Sequence, residues 1–190
     1  MPSPVLLVVQ AFALVSYLGV GALVLARAPR GPLTRAFAWL TGALVLHAAG
    51  SLLRTLTVAE SGVRGATFLL QVGLHLLIPL LLYFTYQLVG ARFRIVRAYL
   101  VFLWGVYLPL SVLASLSDFA WGTRWVVALE SGPDGWVPVA YGPGGVADII
   151  FFGGSVAGTL AVLVAAWRRA RGLTRVQLEW FGMALGIGAI

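Results

Sequence analysis

Among the polar residues inside long apolar stretches of this sequence, six could line a pocket: His47, Arg54, Gln71, His75, Tyr83 and Asp148. Lipid offers such side chains no partner, so each must face protein or water. Gln71, His75, Pro79, Tyr83, Tyr86 and Gln87 follow one another at near-helical spacing, which lines them along one side of a helix. Pro79 leaves the carbonyl of His75 without its helical donor, which favours a kink or a hydrated pocket. His47 and His75 fall at matching depths on neighbouring antiparallel helices, roughly 13 Å below one face of a ~30 Å hydrocarbon core. Three chemistries suit two facing imidazoles. They are axial ligation of a haem, a ligand pocket or proton sensor, and plain hydrogen bonding of neutral rings. Arg54 and Asp148, near the same face, form a candidate ion pair, or each extends alone to headgroups.

The elements that must position these residues follow from composition. The chain is 61% hydrophobic and 10% charged over 190 residues, whereas a water-soluble domain carries about 25% charge. The fold class is therefore an all-α polytopic membrane protein. Apolar stretches at about 5–26, 36–57, 66–90, 98–117 and 146–167 each reach the ~20 residues a helix needs to cross. A sixth begins at 176 and is still apolar at Ile190, so the expectation is a truncated sixth helix of a seven-helix bundle. No HExxH, GxSxG or P-loop occurs, which predicts no catalytic residues in this segment. Cysteine is absent, so no thiolate chemistry or Cys-ligated metal is available, and no metal site is expected.

The net charge of +7 comes from arginine alone, because the chain has no lysine. No arginine cluster forms a patch on a soluble face, so nucleic acid is not an expected partner and membrane lipid is. Arg27, Arg30 and Arg35, then Arg92, Arg94 and Arg97, then Arg168, Arg169, Arg171 and Arg175 fill alternate connections. The remaining connections and their flanks hold Arg54, Arg64 and Arg124 beside five acidic residues. The positive-inside rule then places the N-terminus outside a plasma membrane.

The long outer loop, 118–145, contains "RWVVAL" and "WVPVAY" around "ESGPDG", which predicts a short β-hairpin. Its candidate contact residues are Trp121, Trp125, Trp136 and Tyr141; the hairpin is read either as a ligand-facing cap or as an ordered connector. Gly154 with Gly158, and Gly182 with Gly186, have the small-xxx-small spacing of close helix packing.

Two stretches carry a resemblance to a known family: "YGPGG" at 141–145 and "RRARGLTRVQLEWFGMALG" at 168–186. With the layout of spans, they resemble the N-terminal seven-helix membrane region of bacterial sensor histidine kinases, also found on some diguanylate cyclases. The segment after the fourth span departs from the family pattern, reading "SDFAWG" with no histidine. The resemblance implies a sensory input module of a bacterial two-component system. Its seventh helix would continue into a cytoplasmic transmitter, through which the protein would pair as a homodimer. It implies an unknown small ligand and no cofactor. The competing expectations are a small haem protein using His47 and His75, and a small transporter.

Overall fold

The structure is a computed structural model that describes residues 4–27, 31–90, 93–132 and 135–169, with Val176 and Glu179; side chains are described outside 131–139. Helix α1 spans Pro4–Arg27, α2 Pro32–Leu56 and α3 Glu60–Val89. The fourth span starts as α4, Arg94–Phe102, widens into a π-helical turn at Leu103–Tyr107 and resumes as α5, Leu108–Trp121. Strands β1, Val127–Gly132, and β2, Gly135–Tyr141, form an antiparallel hairpin before α6, Pro143–Trp167. Five helical spans are thus long and apolar enough to cross a membrane among the described residues. The expected sixth span, with Gly182 and Gly186, lies outside them.

The elements alternate in direction, so one end of the bundle gathers Arg27, Arg35, Arg94, Arg97, Arg168 and Arg169, and the other carries the hairpin. Local chemistry sets the boundaries. Pro32 and Pro143 open α2 and α6 where a missing N–H costs nothing. Gly90 closes α3 at φ 62°, its N–H donating to the Tyr86 carbonyl. Pro109 cannot donate to the carbonyl of Gly105, and the π-helical turn lies immediately upstream. Widening a helix there relieves the ring's clash with the preceding turn.

Helix α3 is the axis of the bundle, with buried residues along its whole length. Toward the arginine end, Ala36, Leu40 and Ala43 of α2 pack on Leu80 and Phe84. On another side, Ile78 and Leu82 meet Leu100, Leu103 and Tyr107 of the fourth span. The closest helix approach is at Gly50 and Gly73. A Cβ on the first would collide with the backbone of Leu70, and one on the second with the backbone of His47. Close backbone approach is how membrane helices gain dispersion contacts when lipid removes the hydrophobic drive. Gly154 and Gly158 also face neighbours, the Tyr99 hydroxyl and Leu82.

Helix α1 leans on α2 through Gly21 against Thr41, and through Gln10, whose Nε2 donates to Ser51 Oγ at 2.8 Å. The rest of α1 exposes Val5, Val8, Phe12 and Val15, as suits a surface wetted by lipid.

Candidate functional site: a buried His–Asp–Tyr–Ser cluster beneath a hairpin-capped cavity

Pro79 lies within the continuous helix α3 one turn beyond His75, and the imidazole is fully buried against two other spans. His75 Nε2 lies 2.7 Å from Ser115 Oγ on α5. Its Nδ1 lies 3.2 Å from Asp148 Oδ1 on α6. Tyr107, the last residue of the π-helical turn, donates its hydroxyl to the same Oδ1 at 2.6 Å and stands edge-on to the imidazole. Asp148 Oδ2 is buried and has no partner. One side chain from each of four elements therefore closes on a single carboxylate–imidazole contact. A carboxylate at Nδ1 favours the proton on that nitrogen, which turns Nε2 into the acceptor for Ser115.

The order Ser115, His75, Asp148 is that of a hydrolytic triad. The surroundings differ from one. Ser115 sits in the body of α5, where neighbouring N–H groups are committed to helix bonds, so no backbone pair is free to hold an oxyanion. What the arrangement can do is hold a proton between two buried groups and lock three spans together.

Directly above lies a cavity of about 130 Å³ at the hairpin end, and Ser115 is shared between the two. Its wall includes Thr67 and Gln71 of α3, Phe119 of α5, and Val126, Val127 and Leu129 of the hairpin; Arg64 and Arg124 stand at its rim. Thr67 and Gln71 are each 7% exposed, and both Thr67 Oγ1 and Gln71 Oε1 lack a partner. Arg64 pairs at 2.5 Å with Glu60 one turn back. Its guanidinium lies over Gly122, which closes α5 at φ 66°.

Asp118 fixes the roof. Its Oδ1 accepts from Thr123 Oγ1 and from the N–H of Trp125, and its Oδ2 from the N–H groups of Val126 and Val127. Between these contacts Arg124 adopts φ 63°, a left-handed conformation that costs a non-glycine residue about 1–2 kcal/mol. The hairpin base then crosses the start of α6. The N–H of Gly142 donates to Val126 O and that of Gly144 to Trp125 O. A Cβ on Gly142 or Gly145 would strike the carbonyls of residues 124–126, so "YGPGG" is the sequence of a close crossing.

The sequence-derived candidates divide accordingly. Gln71, His75 and Asp148 come together. Asp148 is paired with His75 and Tyr107 in place of the candidate partner Arg54, which remains half-buried near the end of α2. His47 turns its Nδ1 to the Leu70 carbonyl at 3.2 Å, so the two histidines serve different interfaces. A haem would need one ring nitrogen of His75, and both are engaged, Nε2 with Ser115 and Nδ1 with Asp148. Tyr83 lies further along α3 beside Ala36 and Leu80, lining a groove toward the arginine end. Trp121, Trp125 and Tyr141 are exposed and contribute no side chain to the cavity wall; the side chain of Trp136 lies outside those described. Ser115, Tyr107, Asp118, Arg64, Arg124 and Thr67 were not singled out from sequence. One signal was present: an aspartate in the last turn of a helix opposes the helix dipole, so Asp118 required another task.

Comparison with protein-family models, with curated proteins and with solved structures yields no match.

Proposed function

We propose that this chain is the membrane-embedded sensory input module of a bacterial signal-transduction protein, a sensor histidine kinase. The observation that carries the reading is the junction of cavity and cluster. Ser115 lines the cavity and hydrogen-bonds His75, which is bonded in turn to Asp148. An occupant of the cavity would touch α3, α5 and the hairpin at once, and α6 through the cluster. Occupancy that favours one relative position of these helices biases a two-state bundle, which is what sensing requires. The alternation of arginine-rich ends favours the hairpin outside and the opposite end in the cytoplasm. There the helix shift would pass to a transmitter, whose dimerisation would pair two copies.

The test is autophosphorylation of the complete gene product in proteoliposomes, comparing wild type with His75→Phe and Ser115→Ala. A severalfold change in basal output, in either direction, is the expected result. Output identical to wild type in both variants would reduce the cluster to packing and remove the reading's support.

A further inference from the structure

The unbonded groups around the cavity form a pattern that selects a ligand. Gln71 makes no side-chain hydrogen bond among the described residues although it is nine-tenths buried, and the same holds for the Thr67 hydroxyl. A buried amide left alone costs about 1–3 kcal/mol, so both groups call for an occupant that offers and accepts hydrogen bonds. The charges above them are unequal. Glu60 partly neutralises Arg64, and all four N–H and O–H donors around Asp118 saturate that carboxylate. Arg124 has no ion pair among the described residues and is held at the rim by a strained backbone. Strain of this kind persists where surrounding structure enforces it, and often where a group must be presented to a ligand. Apart from Gly122 and Ser115, whose hydroxyl is engaged with His75, the remaining wall is apolar: Phe68, Phe119, Val126, Val127 and Leu129.

From this arrangement we infer that the cavity binds a small hydroxycarboxylate. Its carboxylate meets the guanidinium groups of Arg124 and Arg64, its hydroxyl meets Gln71 and Thr67, and its short carbon skeleton lies on the phenylalanine and valine wall. A fork of guanidinium donors matches a carboxylate better than a point charge would. A hydroxyl suits Gln71 better than an ammonium does, because the one carboxylate in the wall, Asp118, has no acceptor capacity left for a cation. The ligand class rests on the reading of the cavity as an input site. Binding itself is measured independently of any signal.

Three probes of nearly equal size separate the contributions: lactate, propionate, which lacks the hydroxyl, and alanine, which replaces it with an ammonium. Calorimetric titration of the 190-residue chain in lipid nanodiscs should show lactate binding about tenfold or more tightly than either analogue, the effect of one good buried hydrogen bond. Gln71→Leu should bring lactate down to the propionate level while leaving propionate unchanged, which also shows that the variant is folded. Arg124→Gly, which suits the left-handed backbone, should weaken lactate and propionate alike by tenfold or more. Absence of lactate binding overturns the proposal, and so does propionate binding equal to lactate, which would mark a bare anion site. Tightest binding by alanine would equally overturn it. Lactate binding without any change in autophosphorylation of the complete protein would keep the site and sink the sensory reading. A kinase response to some other stimulus, with no lactate bound, would do the reverse.

Discussion

Asp148 gives up water for two protein partners, His75 and Tyr107, and leaves one oxygen unbonded at 3% exposure. Neutral hydrogen bonds between membrane helices average well below 2 kcal/mol because the unfolded chain in lipid also finds partners. A carboxylate that loses its imidazole is a different case, since a buried charged acceptor left without its donor costs about 3 kcal/mol. His75→Phe should therefore destabilise the folded bundle by about 3 kcal/mol, whereas Asp148→Asn, which keeps shape and one acceptor, should cost about 1 kcal/mol. Thermal unfolding in nanodiscs gives the order. Equal losses would mean that the His75 contact contributes no more than an ordinary hydrogen bond. The sequence exposed Gln71, His75 and Asp148 because ionisable or amide groups are conspicuous in apolar runs. Tyr107 and Ser115 were hidden for the opposite reason, since tyrosine and serine are unremarkable in a membrane helix. Only the folded backbone shows what they touch.

At the scale of elements, the hairpin is fastened twice, by Asp118 to the end of α5 and by the glycines of "YGPGG" to the start of α6. Asp118→Ala removes an ionised acceptor shared by four donors, each such bond contributing about 1.5 kcal/mol or more. Amide exchange at Trp125, Val126 and Val127 should accelerate by at least about tenfold, while exchange in α3 stays unchanged. A uniform acceleration would show that the hairpin is part of the core rather than a separately fastened roof. The second fastening predicts a contrast between glycines. Gly145→Ala forces a methyl into the Val126 carbonyl and the Tyr141 ring, an overpacking worth about 1–3 kcal/mol. Gly153→Ala has open space around it and should be neutral or raise stability by about 0.5 kcal/mol, because alanine favours a helix. Thermal unfolding of the two variants side by side is the measurement. The hairpin itself was legible from β-formers around a turn, and the spans from apolar length, within a few residues except at the polar ends. The close contact of Gly50 and Gly73 was not legible, since nothing in a single sequence says which of many glycines meets a backbone.

For the whole molecule, the decisive asymmetry is electrostatic. Across the described residues, six arginines stand at the end opposite the hairpin, and the hairpin end mixes Arg54, Arg64 and Arg124 with Glu60, Asp118, Glu130 and Asp148. Anionic lipid and the translocation machinery both retain arginine-rich connections in the cytoplasm, whereas acidic residues contribute little to the choice. The cavity above the buried cluster would then open to the outside, and any ligand would arrive without crossing the membrane. Because the chain contains no cysteine, a single introduced thiol reports its side without background. Glu130→Cys on the hairpin should react with a membrane-impermeant maleimide in intact cells. Arg94→Cys, at the start of the fourth span, should react only after permeabilisation. Reversal of both would place the cavity toward the cytoplasm, where a metabolite rather than an external compound would fill it. Labelling of Glu130→Cys in only part of the population would mean that this variant inserts in both orientations. Repeating the reaction at Tyr141→Cys, which leaves every charge in place, would then decide the orientation.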